Sequence, residues 1–84
     1  HCGTCRQQAT ILDHLSRDDG IAVICVDATS ETALADALAV TTVPTTLIVD
    51  GARNVRTVNL GFRSADALAA QLRGLSGAAA VRAS

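Results

Sequence analysis

The sequence predicts an α/β layered sheet in which a crossover and a hairpin connection both occur. Three observations carry this. A helical stripe over residues 2–17 precedes a short β-branched run at 21–26. A second helix pattern separates that run from another apolar strand at 45–50. The turn Gly51-Ala52-Arg53-Asn54 then joins that strand to one at 55–60. The order is helix, strand, helix, strand, strand, helix. The crossover implies a parallel pair, and the hairpin adds an antiparallel edge.

In the first helix Cys5, Gln8, Leu12 and Leu15 recur near the 3.6 spacing, and Ile11 widens the stripe. Asp18-Asp19-Gly20 ends it in a turn. The run 21–26 is continuously apolar and reads as a strand buried on both faces, with Cys25 as a small core residue. Asp27 to Ser30 offers capping side chains for a helix over about residues 31–39, where Leu34 and Leu38 are four apart. A polar loop, Thr41-Thr42-Val43, leads to the single proline, Pro44, at the start of the next strand, where proline is tolerated. Alternation over 55–60 marks a half-exposed hairpin partner. Gly61 interrupts it, as glycine does at a bulge or a close backbone approach. Ser64 caps a last helix running to about Leu75, with Leu68, Leu72 and Leu75 on one stripe. Gly74 and Gly77 break that helix. Residues 76–84 read as a flexible, frayed tail, which leaves 1–75 as the domain.

Composition excludes several functions. An 84-residue chain that is 49% apolar makes one small globular domain. With one Phe and no Trp, Tyr or Met, its core is built from Val, Leu and Ile, and is thin for this size. A net charge of -1 leaves no basic stripe, and a single Phe makes no platform for base stacking, so nucleic-acid binding is not expected. The run at 21–26 is far short of the ~20 apolar residues of a membrane helix, and no signal peptide is read. The chain lacks Met and opens at His1-Cys2. It therefore reads as a processed chain or a piece of a longer one, and a membrane tether could come only from an upstream segment.

Cys2-Gly3-Thr4-Cys5 is the strongest chemical feature. Cysteines at i, i+3 share one face of the first helical turn, close enough to form a disulfide with little backbone movement. Cys2 at the helix N-terminus meets unpaired N–H groups and the positive end of the macrodipole, which favour the thiolate that attacks disulfides. Cys5, one turn in, faces the sheet with Leu12 and Leu15 and suits a resolving thiol. The competing reading is half of a zinc site, completed from His1, His14 or Cys25, although no second knuckle-like pair exists. His1 is either an imidazolium that favours the Cys2 thiolate or a solvent-exposed residue. His14 reads as a helix surface residue. The Val43-Pro44 bond is cis only if it lies in a tight corner facing the cysteine pair.

These residues together resemble thioredoxin over about residues 1–75. The resemblance rests on the Cys pair opening a helix, Val26-Asp27 ending a strand, Val43-Pro44-Thr45 starting another, the hairpin at Gly51, and Gly61 before the last helix. It implies a thioredoxin-like three-layer α/β/α sandwich with a mixed sheet, lacking the first β-α-β unit. It implies Cys2 as nucleophile, Cys5 as resolving cysteine and Pro44 as the family's cis-proline. Val43 then pairs by its backbone with a substrate chain, and Gly61 lies in the substrate groove. Where thioredoxins carry Trp before the first Cys and Pro within the pair, this chain has His1 and Thr4. With Gly3, these tune the site. The buried Lys of the family matches Val23. The missing unit leaves an open edge beside the strand at 21–26, so an isolated chain is expected to be unstable or to pair with another chain.

The expected function is thiol–disulfide exchange with protein substrates through the Cys2–Cys5 pair. It needs no cofactor beyond that disulfide and no metal, and relies on a separate reductase or oxidant partner. The alternatives are a peptide-binding module without redox turnover and a metal carrier using Cys2, Cys5 and His1. A lone third thiol, Cys25, tilts the expected location towards the cytoplasm, against an extracytoplasmic or tethered one.

Overall fold

The computed structural model describes residues 3–84. Among these residues three helices and four strands follow in the order α1 (Gly3–Asp19), β1 (Ala22–Val26), α2 (Thr32–Ala37), β2 (Thr45–Val49), β3 (Val55–Leu60), α3 (Ala65–Leu72) and β4 (Ala79–Ala83). The strands form one mixed sheet in the order β1-β4-β2-β3. This is the predicted mixed α/β class, compatible with a thioredoxin-like fold.

Local chemistry sets the element ends. Gly20, at φ +69°, closes α1 by donating its N–H to the Ser16 carbonyl at 3.0 Å. Ser16 Oγ then donates to the Ile21 carbonyl at 2.9 Å, and the chain turns straight into β1. In the β2–β3 turn the Asp50 carboxylate accepts from the N–H groups of Ala52 and Asn54, both at 3.0 Å. The Asn54 N–H is the main cause that holds this carboxyl below its ordinary value. Ser64 caps α3 by accepting from the Ala67 N–H at 3.2 Å.

The core lies on one face of the sheet, under α1 and α3. Leu12 and Leu15 of α1 and Leu68 and Leu72 of α3 meet Ile21, Ile48 and Ala80. Leu12, Ile48, Leu68 and Ala80 are wholly excluded from solvent. Asn59 fastens α3 to the sheet by a reciprocal amide pair with Gln71 (2.8 and 2.7 Å) and donates to the Thr46 carbonyl at 3.1 Å. Strand alternation puts Ile24, Val81, Leu47 and Val58 on the opposite face, in one cross-strand row. Ile24 and Val58, at the two ends of that row, are 53% and 54% exposed.

Beyond the crossover, whose strands β1 and β2 do not form the expected parallel pair but run antiparallel on either side of β4, two sequence expectations are corrected. Residues 76–84 are not a frayed tail, because 79–83 form β4 inside the sheet. β4 pairs parallel with β1 and antiparallel with β2. The neighbour that β1 was expected to lack is therefore supplied by the chain's own C-terminal residues, and α3 ends at Leu72 rather than Leu75. Secondly, β1 is not buried on both faces. It is an edge strand, with Ala22, Ile24 and Cys25 exposed and only Val26 fully buried. Among the described residues its outer edge has no strand partner, and no core forms over Ile24.

Candidate functional site

The strand register gathers the candidate residues at one end of the sheet. Val26 pairs with Ala83, Ala83 with Thr45, and Thr45 with Leu60. Asp27, Ser84, Pro44 and Gly61 adjoin these four residues directly. Only Gly20 and Ile21 separate α1 from β1, so α1 runs back along the strand and its N-terminus returns to this same end. A side-chain clamp fixes it there. The wholly buried Gln8 donates through Nε2 to the Arg63 carbonyl at 3.0 Å, and its Oε1 accepts from the Arg63 N–H at 2.7 Å. One amide thus satisfies both backbone groups of a loop residue.

Cys5 lies one turn above Gln8, 6% exposed, and is disulfide-bonded. Gly3 and Thr4 are exposed on the first turn of α1. That turn carries no acidic side chain of its own to offset the positive end of the helix. The nucleophile expected at Cys2 and the modulator expected at His1 lie outside the described residues. Among the described residues, no group of three or more His, Cys, Asp and Glu side chains could hold a metal ion.

The Val43–Pro44 peptide bond is cis. Pro44 is buried, and Val43 beside it is 41% exposed. Thr45 Oγ1 donates to the Thr42 carbonyl at 2.6 Å and ties the loop that presents Val43. The Pro44 carbonyl accepts from the Gly61 N–H at 2.9 Å, which joins two of the three expected substrate-binding residues, the third being Val43. Gly61 has φ +83°, and a Cβ built on it meets nothing within 4 Å among the described residues. Backbone conformation, rather than a close contact with any described residue, therefore favours glycine here.

Cys25 corrects a further expectation. It is an exposed free thiol, not a core residue. Its Sγ accepts from Arg82 Nη2 at 3.2 Å. Arg82 also donates to Ser84 Oγ, while its buried Nε has no partner among the described residues. His14 is exposed on α1, as its helical position implied.

The Gln8–Arg63 clamp, the placement of Phe62 beside it, and the Cys25–Arg82 contact were not read from the sequence. A glutamine inside an apolar stripe was the available signal for the first. The clamp predicts that Gln8→Leu, which keeps the volume, leaves the Arg63 N–H and carbonyl unpaired in a part-buried place. Stability should fall by about 1–3 kcal/mol. Thermal unfolding measures this, and a change below about 0.5 kcal/mol, the level of ordinary surface substitutions, would show that the clamp is dispensable.

A family model described as TraF, F plasmid transfer operon protein, matches residues 1–72. The chain belongs to the TraF family. The match runs from the first residue to the end of α3, so β4 lies beyond it. No curated protein and no solved structure matches the chain.

Proposed function

We propose that this TraF-family chain is a thioredoxin-like thiol–disulfide oxidoreductase that works on proteins through Cys2 and Cys5. The observation that carries this reading is the disulfide-bonded Cys5 in the first turn of α1, at the same sheet end as Val43, Pro44 and Gly61. An active-site disulfide beside an exposed extended segment suits an exchange reaction with a second chain.

In the reducing direction the Cys2 thiolate attacks one sulfur of a substrate disulfide. The other substrate sulfur leaves as a thiolate and takes a proton from water. Cys5, as thiolate, then attacks the Cys2 sulfur of the mixed disulfide. The substrate's second sulfur is released, and Cys2–Cys5 becomes the disulfide. Two electrons pass to the substrate. The reverse sequence oxidises a substrate dithiol. The helix N-terminus stabilises the thiolate in both directions. A separate redox protein must reset the pair after each turnover.

Equilibration in graded thiol–disulfide buffers, with free thiols counted by alkylation and intact mass, tests this. The expected result is one reversible two-electron transition between about -270 and -120 mV, the span from thioredoxin-like reductants to strong oxidants. A pair that stays reduced across the whole range sinks the reading and leaves the fold as a peptide-binding module.

A further inference from the structure

Phe62 is the only aromatic residue of the chain, and it stands 37% exposed at the surface rather than in the core. With Gln7, Thr10 and Ile11 of α1 it lines an open cavity of about 470 Å³. Two contacts fix the cavity relative to the candidate site. Phe62 follows Gly61, whose N–H is held by the Pro44 carbonyl. It precedes Arg63, whose backbone is clamped by Gln8, one helical turn from Cys5. The cavity's Phe62 wall therefore lies one residue from Gly61, whose backbone is bonded to the segment that presents Val43. A cationic side chain adjoins its Phe62 wall. The Arg63 guanidinium lies against the Phe62 carbonyl (3.1 Å) and the Leu60 carbonyl (3.4 Å), with no carboxylate partner among the described residues.

We propose that Phe62 and Ile11 form a side-chain subsite that selects the protein partner: an extended segment with a large apolar residue beside its cysteine and a carboxylate next to that residue. The proposal rests on the oxidoreductase reading and names the substrate class of that same site. The partner's backbone runs past Val43, its apolar side chain enters the cavity against Phe62, and its carboxylate faces Arg63. Phe62 is a specificity residue and takes no part in the sulfur chemistry. An aromatic placed in the thin core would have added more stability there, which makes its position at this cavity informative.

The test uses two end-blocked pentapeptides, Glu-Leu-Cys-Leu-Glu and Glu-Ser-Cys-Ser-Glu, each joined by a disulfide to glutathione. Reduction of the leucine peptide is expected to be favoured by about tenfold in kcat/KM, mainly through KM. Phe62→Ser should erase that ratio, and Phe62→Leu should keep most of it. A Lys-Leu-Cys-Leu-Lys peptide should lose the carboxylate's share and fall between the other two. Equal rates for the leucine and serine peptides, or a ratio untouched by Phe62→Ser in a variant that still melts cooperatively, overturns the subsite. If no peptide is turned over, the oxidoreductase reading has failed, and binding decides the subsite separately. Fluorescence anisotropy with the central cysteine replaced by serine should then still show preference for leucine, lost in Phe62→Ser. Absence of that preference overturns the subsite as well.

Discussion

A chain ending at Ala78 is expected to show no cooperative thermal transition, even though it loses only six residues. The reason is the strand order. β1 touches the rest of the sheet only through β4, and β2 meets β1 only across it. Removing β4 divides the sheet into an isolated strand and a two-stranded hairpin. Neither is stable alone in water. Five register pairs are lost on each side of β4, and each ladder hydrogen bond is worth about 0.5–1.5 kcal/mol net. The loss is comparable with the whole stability of a domain, about 5–15 kcal/mol. The wholly buried Ala80 also leaves the core, opposite Ile48. Val81→Pro is the milder form of the same test, since proline in a central strand cannot donate to the ladder. Circular dichroism melts read both variants. A truncated chain that melts cooperatively near the parent midpoint would show that β1 holds to the domain without β4.

The same strand shows where sequence reading stops. α1, the β2–β3 hairpin and the Ser64 cap were legible because each is written in local terms: a 3.6-residue stripe, a turn between alternating runs, a capping hydroxyl. β4 has no such signature. Its residues are Ala79, Ala80, Val81, Arg82 and Ala83, a composition poor in β-formers that follows two glycines. It is a strand because β1 and β2 each offer an unpaired edge to it, and that fact is non-local. Cys25 was misread for the matching reason. A continuous apolar run looks buried on both faces, but exposure depends on whether a layer covers each face, which the run itself does not encode. In the site, the juxtaposition of Pro44 and Gly61 was legible through the family resemblance. The Gln8 clamp was not, because its partners are the backbone groups of Arg63, and any residue could have supplied them.

Cys5→Ser should abolish turnover while capturing the substrate, and Cys2→Ser should abolish both. In the proposed exchange Cys2 makes the intermolecular bond and Cys5 breaks it. Without Cys5 the mixed disulfide has no intramolecular nucleophile to resolve it, so it accumulates. Non-reducing electrophoresis and intact mass detect the adduct. The fold should survive the change. Cys5 is 6% exposed on the buried face of α1, and serine occupies nearly the same volume. Opening a loop this short costs roughly 2 kcal/mol by the chain-entropy estimate, less than the stability of an ordinary domain. Loss of activity in a folded Cys5→Ser protein is then chemical. Adducts on Cys2→Ser instead would reverse the roles of the two cysteines. Adducts on both variants through Cys25 would move the reactive thiol to the exposed residue beside Arg82, and the triple comparison with Cys25→Ser separates that case.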